Sequence, residues 1–228
     1  MAARAHPAVS REIERLTSLP ETLVAFVSGR SMQDLRIIAE HGDDSPVALS
    51  GSHGAQYWFP GEGDVTFDSE RPEPGELEYS WARAGEVVAA FENVVIEPKT
   101  FGLAVHTRRA TAEAEAAAFA AADAFMAEQH PLWRRRLGHH VLEFSASPQG
   151  KDTAIDIFRE KYHPSAILFA GDDVTDEDAM RALQPADLGV RVGAGETVAT
   201  LRVNNPEEIA DLLSAIAETR AAKGQQTQ

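Results

Sequence analysis

An apolar run, Ala166-Ile167-Leu168-Phe169-Ala170, passes directly into Gly171-Asp172-Asp173-Val174-Thr175-Asp176-Glu177-Asp178. A short continuous apolar run suits a strand covered on both faces, the mark of a parallel sheet packed between helices. Such sheets bind ligands beyond the carboxyl ends of their strands, and here that end is densely acidic. Like charges crowded there repel one another unless a cation lies among them. Mg²⁺ favours oxygen ligands, keeps several waters, and is often held by one or two carboxylates plus substrate phosphate. Asp172, Asp173 and Asp176 are therefore candidate Mg²⁺ ligands. Capping by Thr175, with acids favoured by the next helix's dipole, explains Asp176 to Asp178 but not Asp172 and Asp173.

The same alternation recurs at both ends of the chain. Near the start, 7–18 has helical spacing at Val9, Ile13 and Leu16, and 22–27 is a second apolar run ending at Ser28-Gly29-Arg30. Residues 31–40 read as a helix with Ser31 near its N-cap, and 47–49 as a short strand before Gly51-Ser52-His53-Gly54. Towards the end, 152–162, 177–183 and 207–219 read as helices, 166–170 and 188–192 as strands, and 221–228 as a frayed tail. This pattern predicts an α/β fold built on an open parallel, Rossmann-like sheet.

The middle differs. Residues 60–75 read as loop or edge hairpin, and 77–91 as helix. Residues 94–97 and 101–106 form a hairpin around Pro98-Lys99-Thr100, 111–128 is an alanine-rich helix, and 141–144 is a strand. Arg134-Arg135-Arg136, following Pro131, reads as a solvated turn. This α+β block predicts an inserted domain over 55–148, within a core formed by 1–54 and 149–228.

A net charge of −15 argues against a nucleic-acid surface, which needs clustered Lys and Arg. No apolar run approaches the roughly 18–20 residues that span a bilayer, and no export segment is visible. The chain has no cysteine, which excludes disulfides and thiolate sites, and a cytoplasmic location is the default expectation.

Other residues fit an anionic ligand. The hydroxyl of Ser28 and the cation of Arg30 lie at a strand-to-helix turn, although an ordinary turn reads the same way. Lys151 opens a helix, where a cation opposes the macrodipole and calls for an anionic neighbour, although a solvated lysine reads the same way. His53 lies where the insertion begins, and His106 ends an apolar strand. Glu97 and Lys99, one proline apart, are placed to project together from one side of a turn toward a sugar, although plain surface charges on a hairpin read the same way. Trp58, Trp81 and Trp133 are read as packing residues.

Taken in order, VAFVSGRSMQDL, LSGSHGAQYWFPG, VIEPKTFGLAVHTR, GKDTAIDIFRE, FAGDDVTDEDAMRAL and GVRVGAGET resemble the trehalose-6-phosphate phosphatases of the haloacid dehalogenase superfamily. The resemblance covers nearly the whole chain. It implies an α/β core with a mobile cap domain, a sugar-phosphate substrate, Mg²⁺, and an aspartyl-phosphate intermediate. It assigns Ser28 to phosphate contact and Lys151 to holding the nucleophile and phosphoryl group. Asp172 is the implied metal ligand, with Asp173 and Asp176 completing or orienting that site. Glu97, Lys99 and Glu143 would grip sugar hydroxyls, and Arg30, His53 and His106 would contribute to substrate binding.

Three departures accompany it. Gln56 replaces an expected Glu, and Phe144-Ser145-Ala146 replaces the usual Leu-Arg-Pro. The family's Asp-x-Asp-Gly-Thr, whose first Asp attacks phosphorus, is not found in these 228 residues. Met1-Ala2-Ala3-Arg4 resembles the stretch just after it, as a start placed too far downstream would produce. The family's strand lies between 22–27 and 166–170, which would otherwise pair with each other or keep open edges. A non-catalytic sugar-phosphate binding protein, or a phosphatase for another sugar phosphate such as sucrose phosphate, are the alternative readings.

Overall fold

Residues 6–66 and 71–226 are described by a computed structural model. They form two units, one of 6–66, 150–172 and 176–226, the other of 71–149 and 173–175. In the first stretch come α1 (Pro7–Thr17), β1 (Ala25–Val27), α2 (Met32–Ile38), β2 (Ala48–Gly51), a 3₁₀ turn (Ser52–Gly54), β3 (Gln56–Phe59) and β4 (Gly63–Thr66). The insertion holds α3 (Pro74–Val88), β5 (Val95–Lys99), β6 (Gly102–His106), α4 (Ala112–Gln129), β7 (Arg134–Gly138) and β8 (Val141–Ser145). The last stretch adds α5 (Lys151–Tyr162), β9 (Leu168–Gly171), α6 (Asp176–Arg181), β10 (Leu188–Val192), β11 (Leu201–Val203) and α7 (Pro206–Gln226).

In the first unit, β1 and β2 are parallel, and β3 and β4 continue the same sheet as antiparallel strands. The hairpin at 56–66 thus belongs to the first unit, and the insertion starts after it rather than at 55. Its apolar side chains explain why: Tyr57 and Phe59 pack with Ala154 and Phe158 of α5, while Trp58 packs with Met32, Leu35 and Leu49. The remaining strands form a separate parallel sheet ordered β11-β10-β9. Both sheets rest on α5, with Val27 shared between the Phe158 cluster and the Ile155–Phe169 cluster.

Strands β1 and β9 do not pair with each other, and among the described residues each has one open edge. Neither strand is sheathed as the sequence predicts. Ala25, Phe26 and Val27 are half-buried, and Ala170 is exposed although Phe169 beside it is buried. Two further differences concern the chain's end. Strand β11 is absent from the sequence reading, and α7 runs on to Gln226 where a frayed tail is expected. Part of the expected 60–75 loop, residues 67–70, and the final two residues lie outside the described residues.

The second unit is a four-stranded antiparallel sheet, ordered β5-β6-β8-β7, with α3 and α4 on one face. Leu103, Val105, Leu142 and Phe144 alternate with residues of the opposite face and pack against Ala84, Val88, Ala122 and Met126 of the helices. Helix α3 opens with Pro at N1, and α4 is capped by Thr111, whose Oγ accepts from Ala114 N–H at 3.2 Å. Pro98 is tolerated because β5 is an edge strand. Arg134-Arg135-Arg136 is not a turn but the start of β7. Alternation decides this: Arg135 reaches Asp123 of α4 at 2.6 Å, while Arg134 and Arg136 face the other way, with Arg136 buried. No helix among the described residues is long and apolar enough to cross a membrane.

Candidate functional site

At the carboxyl end of β9 the chain turns sharply at Gly171. A Cβ there would lie 2.2 Å from Cγ of Asp176, so only glycine admits that carboxylate. Asp176 Oδ2 accepts from the Asp172 backbone N–H at 3.0 Å, and its Oδ1 meets Lys151 Nζ at 2.7 Å. Both partners of this ion pair are less than a tenth exposed. The cation that opposes the α5 dipole thus has its anion in the first turn of α6. Asp172 keeps its carboxylate exposed. Asp173 belongs to the other unit, and its Oδ1 accepts from Val174 N–H at 2.7 Å.

Among the described residues no three His, Asp or Glu side chains form a group that would hold a metal ion. Asp172 and Asp176 come together, but Asp176 is committed to Lys151. Asp172 and Asp173 are both exposed, and one or two carboxylates suit Mg²⁺ when water and substrate phosphate complete its octahedron.

Beyond β1 lies the second element of the site. Ser28 N–H donates to Ser50 O at 2.8 Å, and Ser28 Oγ accepts from Arg30 N–H at 3.2 Å. As the acceptor in that bond, the Ser28 hydroxyl keeps its own hydrogen to donate. Arg30 is exposed. The 51–54 turn is stitched to this loop: Ser52 N–H donates to Arg30 O at 2.6 Å and His53 N–H to Ser28 O at 3.0 Å. Both Ser52 and His53 have positive φ, so the turn is strained and needs those bonds to persist. The buried His53 ring presses on Gly29, where a Cβ would lie 2.3 Å from Nε2. Gly54 in turn approaches Gly150 O, one residue before Lys151. Contacts therefore run without a break from Ser28 through His53 and Gly150 to Lys151, Asp176 and Asp172.

The second unit carries its polar residues on the sheet face away from α3 and α4. Register places Glu97, Ala104, Glu143 and Arg136 in one transverse row, and Lys99, Gly102, Ser145 and Arg134 in the next. His106 lies on the same face one row over. Glu97 Oε1 meets Lys99 Nζ at 2.8 Å, and its Oε2 meets His106 Nε2 at 2.5 Å. Partial burial pushes the Glu97 carboxyl up, but Lys99 and then His106 outweigh it and hold it below the ordinary value. Arg134 donates to Pro148 O at 2.7 Å and Arg136 to Gln149 O, so both hold the segment that leaves this unit. The period of two through Arg134 and Arg136 is the sequence signal that would have shown them on this face.

A second buried ion pair, Glu177 with Arg191 at 3.4 Å, lies near the end of β10. Glu177 also accepts from Val198 N–H at 2.9 Å, and Arg191 donates to Ala194 O at 2.9 Å, so the pair secures the 193–198 loop.

The model of the trehalose-phosphatase family matches residues 1–211. A bifunctional trehalose-6-phosphate synthase/phosphatase of Thermoproteus tenax is 30% identical over 216 residues, covering 90% of this chain and 28% of that protein. A trehalose-phosphate phosphatase of Mycobacterium tuberculosis is 27% identical over 206 residues, covering 85% of this chain and 51% of that protein. The chain thus spans about half, or less, of the length of these curated relatives. The crystal structure of a trehalose-6-phosphate phosphatase related protein superposes with a TM-score of 0.77, at 21% identity, over 96% of this chain and 90% of that one.

Proposed function

This chain belongs to the trehalose-phosphatase family and has the α/β fold of haloacid-dehalogenase-type phosphatases; on that premise we propose that its residues serve the hydrolysis of trehalose 6-phosphate to trehalose and phosphate. The observation that carries the proposal is the buried Lys151–Asp176 pair, joined by continuous contacts to the loop that holds the half-buried Ser28. Lys151 Nζ spends one of its three donors on Asp176 and has two left for phosphoryl oxygens. Ser28 donates its hydroxyl hydrogen to another, and the exposed Arg30 adds a second cation. His53 acts by holding Gly29, and so the Ser28 loop, in place.

On the polar face of the second unit, Glu97, Lys99, Glu143 and His106 are the residues we assign to the sugar hydroxyls. Two carboxylates, a lysine and an imidazole in adjacent rows offer both acceptors and donors to a polyhydroxylated ligand. The family's phosphorus-attacking aspartate is not among these 228 residues, so these side chains bind, orient and neutralise. Asp172 is the residue that would hold Mg²⁺, with Asp173 as the second candidate and Asp176 orienting Lys151. When bound, the ion supplies charge neutralisation at the phosphoryl oxygens.

The test is phosphate release and calorimetry on the same chain, with trehalose 6-phosphate, sucrose 6-phosphate and trehalose, each with and without Mg²⁺. Release from trehalose 6-phosphate supports hydrolysis. Tight binding without release assigns these residues to a sugar-phosphate binding role, and preference for sucrose 6-phosphate redirects the substrate. No release, with equal affinity for trehalose and its 6-phosphate, would end the proposal.

A further inference from the structure

Gln56 is the residue at which this chain departs from the glutamate its family leads one to expect, and its position is unusual. Its Oε1 accepts two hydrogen bonds, from Ser52 Oγ–H at 2.8 Å and from Met32 N–H at 3.1 Å. Ser52 opens the strained turn at 52–53, and Met32 is the first residue of α2, just after the Ser28-Gly29-Arg30-Ser31 loop. One carboxamide oxygen therefore ties the two segments that flank the loop. Among the described residues the backbone adds Ser52 N–H to Arg30 O, His53 N–H to Ser28 O and, just before that turn, Ser28 N–H to Ser50 O. Met32 N–H belongs to the first turn of a helix and so has no carbonyl of its own helix to bond. Ser52, at φ 48, holds a conformation that side chains rarely adopt.

We propose that Gln56 is the positioning residue of the Ser28–Arg30 loop, acting through the shared acceptor Oε1 and not through contact with a ligand. The proposal rests on the reading of that loop as the phosphate-contacting element. It requires an acceptor at this reach, which the amide and a carboxylate both supply and an apolar isostere does not.

The test compares the full chain with Gln56→Leu and Gln56→Glu. Amide hydrogen exchange reports the loop directly, and calorimetry with trehalose and trehalose 6-phosphate separates the phosphate contribution from the sugar contribution. In Gln56→Leu, exchange at Met32 N–H should quicken about tenfold, the worth of one hydrogen bond. The affinity advantage of trehalose 6-phosphate over trehalose should shrink by a similar factor, with trehalose itself bound as before. Gln56→Glu should restore both. Unchanged Met32 exchange in Gln56→Leu overturns the proposal, as does equal weakening of both ligands, which would mean general damage. A wild-type chain that binds the two sugars equally would instead refute the phosphate-loop reading, and Met32 exchange would still decide whether Gln56 holds the loop.

Discussion

Removing Asp176 should be among the most damaging single changes in the first unit. Its carboxylate faces Lys151 at 2.7 Å with both side chains less than a tenth exposed, so solvent screens the pair little. Truncating one member of a buried ion pair leaves the other charge uncompensated, at a cost of about 3–5 kcal/mol. Asp176→Ala also removes the acceptor for Asp172 N–H, worth about 1 kcal/mol more. Lys151→Met should cost about 3–5 kcal/mol without that addition. In the double variant neither charge is stranded, so its loss should fall short of the sum by about 2–3 kcal/mol. Asp176→Asn separates the contributions, because an amide oxygen can still accept from Asp172 N–H. Urea unfolding of the four variants and the wild type measures these differences through the midpoint, provided the slope stays constant. Strictly additive losses, or a loss under about 1 kcal/mol for Asp176→Ala, would refute the pairing as the anchor of the site.

Three further outcomes are expected. His130, stacked on Trp133 and bonded to buried Ser80, is pushed below its ordinary value of 6.5 by burial, which outweighs the nearby Glu76. The unfolded chain therefore binds the extra proton first, and this stabilisation, complete above about pH 6.5, is lost as pH falls through the lower folded value; His130→Gln should flatten that slope in thermal melts. Burial pushes the Asp187 carboxyl up, but the N–H groups of Gln184 and Ile167, and then Arg159, hold it below its ordinary value of 3.8. Its contribution is present above that value and lost on acidification, and Asp187→Ala should cost about 1.5–3 kcal/mol in neutral urea unfolding. Gly171→Ala forces the Asp176 carboxylate aside and should cost about 1–3 kcal/mol, so an unchanged midpoint would contradict the close approach.

The alternation of apolar runs with helical spacing made the α/β core legible, because it is local. Ser28 and Lys151 stood out for the same reason, each at a junction of strand, loop and helix. What stayed hidden depends on distant partners. Asp176 reads as a metal ligand or first-turn acid until Lys151, 25 positions away in sequence, is seen against it. Arg134 to Arg136 carry too much charge to read as a strand, yet β8 and Asp123 of α4 impose one. The aromatic run Tyr57-Trp58-Phe59 gives no hint of its domain until it pairs with β2 and covers α5. Leu201–Val203 is too short to show a period, and Ala221 and Ala222 extend α7 through propensity alone.

The open edges of β1 and β9 bear on how the molecule behaves in a crowded solution. A parallel strand with free N–H and C=O groups is a template for any extended segment, including one from a second copy. What opposes such self-association is long-range repulsion from a net charge of −15, which weakens as salt shortens the Debye length. Colloidal stability of these residues should therefore depend on ionic strength, and any strand that occupies the two edges would act as a solubility element as much as a structural one.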